Sequence, residues 1–150
     1  MTLRLPAKMI GDMIAHAYED LPNECCGLIT TDEGVPALLH RMRNADSSPF
    51  RYTMDSSDQI RVLREIDYDD SRVLVVYHSH VASRAYPSPT DVLQAYAQGT
   101  DFPIFPNAYY VVISLKDRAS PLVRAFRIVD RKVRREKLEE VVGPSFATSN

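Results

Sequence analysis

The stretch Arg72-Val73-Leu74-Val75-Val76-Tyr77-His78-Ser79-His80 decides how this chain is read. Val73 to Val76 make a continuous apolar run, too short for a helix and rich in β-branched side chains, the pattern of a strand buried on both faces. A central strand is expected over 72–77, with the histidines at its end. His78 and His80 are two residues apart, so an extended backbone projects both imidazoles from one face, where they can reach one metal ion. After a turn-rich stretch, Ser88-Pro89-Thr90-Asp91 opens a helix expected to run to about Gln98. The intervening loop can fold that helix start back over the strand end and offer Asp91 as a third ligand. Two His, one Asp and an open fourth position describe a catalytic zinc, since structural sites are usually closed by four protein ligands. A hydrolytic centre also needs a base for the proton of the attacking water. Glu24 is the candidate, because it opens a short apolar strand, Cys25-Cys26-Gly27-Leu28-Ile29, rather than a charged surface run.

Each of these residues also has a purely structural reading. Many sequences place His-x-His at a core edge without any metal. Ser at the N-cap, Pro at the first helical position and Asp at N3 form a capping box, a role compatible with ligation because only the Asp91 carboxylate must leave the cap. A Glu before a buried strand often faces solvent. Cys25 and Cys26 are thiol ligands or, the commoner role, small buried hydrophobes. Strand alternation puts Glu24 and Cys26 on one face and Cys25 on the other. His16 and His40 lack partners at ligand spacing and are read as structural.

Outward from the centre, the chain alternates elements. Met9, Ile10, Met13, Ile14, Ala17 and Tyr18 recur at steps of three and four, which predicts an amphipathic helix from Pro6 to about Asp20. A strand from Glu24 turns at Asp32-Glu33-Gly34 into a return over 36–43. Asn44 to Pro49 carries turn chemistry, and Phe50 to Met54 alternates like a short strand. Asp55 or Ser56 then caps a second helix, with Ile60, Leu63 and Ile66 on its apolar face. Tyr109 to Leu115, Pro121 to Asp130 and Lys132 to Leu138 read as strands, the last two joined by a turn at Asp130-Arg131. Mixed strands with three helices predict a single α/β domain over residues 1–142, its sheet partly covered on both faces, and a flexible tail over 143–150.

Composition narrows the partners. The chain has 150 residues, 45% hydrophobic and 25% charged, with 18 basic and 20 acidic side chains and a net charge of −2, as in an ordinary globular protein. This near-neutral balance, with no long basic run, lacks the electrostatic footprint for binding nucleic acid or an anionic membrane. The N-terminal stretch carries Asp12, His16 and Glu19 among its apolar residues, so no signal peptide or membrane span is expected and the reading is cytoplasmic. Two adjacent cysteines cannot staple distant segments.

Glu24, then His78-Ser79-His80, then seven residues, then Ser88-Pro89-Thr90-Asp91, resembles the Glu…His-x-His-x7-Ser-x2-Asp signature of the JAMM, or MPN-plus, metallopeptidases. The likeness extends to Pro22-Asn23-Glu24-Cys25-Cys26-Gly27-Leu28, Asn44-Ala45 and Ala85-Tyr86-Pro87-Ser88, and covers roughly residues 3 to 135. Ser48-Pro49, the Tyr52 to Asp55 stretch and Ile128-Val129-Asp130 are most similar to the short Mec group of actinobacteria. The resemblance implies the MPN fold, a curved mixed sheet flanked by helices and related to cytidine deaminases. Deaminase chemistry itself is disfavoured, since His-x-Glu and Pro-Cys-x-x-Cys are both missing from the sequence.

Carried over residue by residue, the resemblance implies that His78, His80 and Asp91 bind Zn2+, Glu24 activates the water and Ser88 stabilises the oxyanion. It implies hydrolysis of an amide or isopeptide bond at the C-terminus of a ubiquitin-like sulfur-carrier protein with a Gly-Gly tail, as in release of cysteine from a carrier adduct. The alternatives are a non-catalytic MPN scaffold, whose members typically lack one or more of these residues, and a hydrolase of free small peptides. Residues 98–107, with Phe102, Ile104 and Phe105, form a longer loop than the Mec-like pattern. Three fates are open to those side chains: packing on the core, a homodimer contact, or a wall gripping the carrier tail.

Overall fold

A computed structural model describes residues 1–142; the tail expected to fray from Gly143 lies outside the described residues. One mixed seven-stranded sheet, ordered β1-β7-β6-β5-β4-β2-β3, forms the scaffold. Its elements in chain order are β1 (Thr2–Pro6), α1 (Ala7–Glu19), β2 (Cys26–Asp32), β3 (Val35–Met42), α2 (Ser56–Glu65), β4 (Val73–His80), α3 (Pro89–Gln94), β5 (Tyr109–Ser114), β6 (Leu122–Val129) and β7 (Lys132–Val141). The β4–β5 and β1–β7 pairs are parallel and the other neighbours antiparallel. The architecture is the mixed α/β expected.

Strand alternation sorts the core into two layers. Cys25, Ile29, Val75, Tyr77, Val111 and Ile113 face the apolar side of α1, where Met9, Met13 and Ala17 are fully buried. Cys26, Leu28, Val76 and Tyr110 face the other way, against Val62 and Ile66 of the α2 region and the aromatic groups Tyr52, Tyr96 and Phe105. Cys25 and Cys26 therefore lie on opposite faces, both as buried hydrophobes, and burial pushes the Cys25 thiol up to about 12. Gly27 sits beneath the Tyr77 ring, and a Cβ there would stand 2.3 Å from Tyr77 Cε2. Tyr77 hydroxyl bonds His16 Nδ1 at 2.7 Å and the His16 Nε2 side meets Asp20, so His16 locks α1 to the sheet. His40 Nε2 meets Thr30 Oγ1 at 2.9 Å. Both histidines serve structure.

Four local readings need correction. Thr2–Pro6 is an edge strand, parallel to β7, and the helix begins only after Pro6. The Phe50–Met54 stretch is no strand; Met54 makes a single bridge to Asn44. Helix α3 stops at Gln94 rather than Gln98, because Tyr96 bridges Pro103 and the Ala97 amide bonds the Phe102 carbonyl, closing the loop on itself. Ile60, read as inward, is 46% exposed, and Val62 takes the buried place in α2. The β6–β7 turn falls where expected, at Asp130 and Arg131, both left-handed with φ of 52° and 61°. In the 98–107 loop, Phe105 and Ile104 pack on the second core layer while Phe102 is 75% exposed.

Candidate metal centre

Strand β4 delivers His78 and His80 to the α2 face, and α3 starts directly above them. The donor atoms of His78, His80 and Asp91 converge. Asp91 Oδ2 lies 2.9 Å from His78 Nε2 and 3.0 Å from His80 Nε2, and the two Nε2 atoms are 3.1 Å apart. All three side chains are buried.

The capping box is present as well. Asp91 N–H donates to Ser88 Oγ at 3.1 Å, and Ser88 N–H donates to Asp91 Oδ2 at 2.8 Å. The two readings of Asp91 thus meet on one oxygen. Burial alone would raise the Asp91 carboxyl, but hydrogen bonds with both imidazoles and the Ser88 amide hold it far below the usual carboxylate range.

The donor set fits a zinc ion. His80 Nδ1 faces the Arg84 carbonyl at 2.8 Å, an acceptor only, so Nδ1 carries the hydrogen and Nε2 offers its lone pair toward the Asp91 carboxylate. A proton or a cation must sit between two such electron-rich atoms. Consistent with this, the bonds to Asp91 and Arg84 raise the His80 imidazole against the lowering effect of burial, whereas at His78 burial wins and lowers it. Tetrahedral ligands about 2.0–2.1 Å from zinc stand about 3.3 Å apart, so this triangle needs to open by only a few tenths of an ångström.

Glu24 arrives from the neighbouring strand. It precedes β2, whose Cys26 pairs with His78, and Ser79 clamps the junction: its Oγ accepts from the Cys25 N–H at 2.8 Å and its own N–H donates to the Cys25 carbonyl at 3.1 Å. Glu24 is 3% exposed and its Oε1 has no partner among the described residues. Burial pushes its carboxyl up to about 8, opposed by His80 and reinforced by Asp91. It stands beside the triad and outside it.

Two further residues shape the centre, and neither is apparent as a functional residue from its local sequence. Tyr52 stacks on His78, ring centroids 4.6 Å apart. Beyond it lies a cavity of about 490 Å3 lined by residues including Met54, Gln94, Tyr96, Ile104 and Phe105. Asn44 uses its whole side-chain amide: Nδ2 donates to the Glu24 and Arg51 carbonyls at 3.1 and 3.0 Å, and Oδ1 accepts from Asp46 N–H and Thr53 N–H. Together with the Glu24 N–H donating to the Ser48 carbonyl, these bonds tie the Glu24 backbone to the 46–53 loop. Removing the amide strands the buried Glu24 carbonyl, at about 1–3 kcal/mol. Asn44→Ala is expected to lower the melting temperature and also kcat, with zinc content unchanged; a lower melting point with wild-type kcat would confine Asn44 to support of the fold.

The chain matches the family model of prokaryotic homologues of the JAB domain over residues 6–129. It is 39% identical over 141 residues to the CysO-cysteine peptidase of Mycobacterium tuberculosis, covering 93% of this chain and 91% of that one. Among solved structures it is similar to protein DSY2949 of Desulfitobacterium hafniense, with a TM-score of 0.74, 30% identity and 95% of each chain covered. It also shares its fold with AF2198, a JAB1/MPN domain protein of Archaeoglobus fulgidus, at a TM-score of 0.57 and 18% identity over 93% of this chain and all of the other.

Proposed function

The chain belongs to the prokaryotic JAB-domain family, and from that premise we propose that it is a zinc-dependent metallopeptidase. Its substrate is an amide bond at the C-terminal glycine of a ubiquitin-like sulfur carrier. The observation that carries this reading is the convergence of His78, His80 and Asp91 on one point, with the unpartnered Glu24 carboxyl beside it. The relative named as a CysO-cysteine peptidase supports the substrate class.

Zinc held by His78, His80 and Asp91 would supply a Lewis acid and a water made acidic enough to ionise near pH 7. Glu24 accepts the proton of the attacking water and passes it to the amine nitrogen as the C–N bond breaks, leaving a carrier carboxylate and a free amine. Ser88 Oγ accepts the Asp91 amide hydrogen, so the hydroxyl's own hydrogen is free to donate to the carbonyl oxygen as it turns negative. The cavity beyond Tyr52 is assigned to the extended carrier tail.

The test is a ubiquitin-like carrier whose Gly-Gly tail bears one further amino acid, incubated with the zinc-loaded chain and read by intact mass. Loss of that residue, abolished by a chelator, is expected. An intact carrier beside a fully zinc-loaded protein would favour the scaffold reading, and equal kcat/KM on short free peptides would favour the small-peptide hydrolase. Ser88→Ala separates two roles: loss of the cap costs about 1 kcal/mol of stability, while loss of the oxyanion donor lowers kcat by ~10² to 10³. A lowered melting point with unchanged kcat would leave the cap alone.

A further inference from the structure

Apart from the Tyr52 cavity, a second cavity of about 460 Å3 is lined by residues including His80, Arg84, Tyr86, Ser88 and Val133. Its volume lies within the usual range of small-ligand pockets. No acidic residue lines it, and Arg84 is the only arginine or lysine in its lining. Other arginines have a carboxylate partner, as Arg43 has Asp55 and Arg131 has Asp101. Arg84, in contrast, has no carboxylate partner among the described residues.

The exposed Arg84 guanidinium rests on an aromatic ring. Its Cζ lies 4.5 Å from the centroid of the Tyr86 ring, and that ring meets the fully buried Phe126 edge-on at 5.3 Å. Its carbonyl is fixed twice, by His80 Nδ1 at 2.8 Å and by the Tyr86 N–H at 2.9 Å. A cation mounted on an aromatic platform, tied by its backbone to a residue of the triad and without an acid of its own, is poised for an anion that arrives with the substrate. A guanidinium matches a carboxylate with two parallel hydrogen bonds.

We propose that Arg84 reads the free α-carboxylate of the leaving amino acid, so that the chain favours carriers extended by a single terminal residue over carriers joined to a lysine side chain. This rests on the hydrolase reading above. In an adduct of one amino acid, the carboxylate lies only two bonds from the scissile nitrogen. A lysine isopeptide presents a long apolar stem at that place and no charge.

The experiment compares a carrier ending in Gly-Gly-Ala with its C-terminal carboxamide, which differs in little but charge. Charged hydrogen bonds contribute about 1.5–3 kcal/mol, so kcat/KM for the acid is expected to exceed that for the amide by ~10- to 100-fold. Arg84→Met should bring that ratio toward one with zinc still stoichiometric, since only the Arg84 backbone touches His80. Arg84→Lys, which keeps the charge and loses the fork, should retain part of it. The same preference is read without turnover by calorimetric binding of Gly-Gly-Ala acid and amide peptides to zinc-loaded Glu24→Gln protein. Equal values for acid and amide in both arms overturn the role of Arg84 and leave the hydrolase reading standing. Failure to cleave either carrier, with the acid still bound tighter through Arg84, overturns the hydrolase reading and upholds the carboxylate site.

Discussion

Glu24→Gln protein is expected to keep one zinc per chain and to lose ~10² to 10⁴ of its turnover on a carrier–amino acid adduct, the usual worth of a general acid–base group. The amide is nearly isosteric with the carboxyl and keeps the backbone bonds to Ser48 and Asn44, so the 46–53 loop stays in place. What it cannot do is take and return a proton. Zinc content by metal analysis and kcat by mass spectrometry check the two halves separately. Near wild-type turnover would show that another group moves the proton, whereas loss of zinc would make Glu24 a ligand.

The same substitution has a second signature in chelator-treated protein. Burial raises the Glu24 carboxyl from 4.5 to about 8, so the folded chain binds this proton more tightly than the unfolded chain does. The stability this contributes is fully present below pH 4.5 and is lost as pH rises through about 8. Wild-type protein should therefore lose stability across that window relative to Glu24→Gln, which has no proton to lose. The difference in melting temperature between the two, followed against pH, should grow from acid to neutral pH. A difference independent of pH would mean that the carboxyl is solvated.

His80→Ala is expected to abolish stoichiometric zinc and bring hydrolysis below detection while leaving a folded chain. Two of three converging donors remain, too few for the closed part of a catalytic zinc site. The fold survives because β4 is fixed by β2 on one side and β5 on the other, not by the imidazole. A thermal melt with added zinc gives the contrast. The wild type should gain about 2.7 kcal/mol of stability at a hundredfold excess over Kd, and the variant little. A well-folded His80→Ala protein that still carries one zinc per chain would remove His80 from the ligand set.

What could be read in advance divides along a physical line. The His pair and the capped helix start are local, so spacing along the backbone already brought their side chains toward one face. Their meeting with Glu24 depends on the β2–β4 register, a contact between residues 54 apart at Cys25 and Ser79, and only the signature pointed to it. Strand β1 is not legible locally because Leu3 and Leu5 around Arg4 give a single alternation before a proline that also suits a helix start. Asn44 looks like turn composition because what distinguishes it, four simultaneous hydrogen bonds in a buried place, comes from partners up to 20 residues away. Phe102 and Phe105 sit in the same apolar loop and reach opposite fates, exposed and buried. Which one turns inward is set by the bridge between Tyr96 and Pro103, which no local pattern announces.

The ladder that joins Cys26 to His78 also divides the chain into parts that are held in different ways. Two of the converging donors ride on the paired strand β4 and the third is fixed by a helix cap, whereas Glu24, just before β2, is held by its backbone bonds to Ser48 and Asn44. The segment at 95–108 branches off outside that ladder, while 43–55 belongs to the centre through Asn44, Ser48 and Tyr52. Changes confined to 95–108 leave the backbone bonds that place His78, His80, Asp91 and Glu24 intact. A protein engineer could thus exchange 95–108, which lines the Tyr52 cavity, for another loop while leaving 43–55 with the centre.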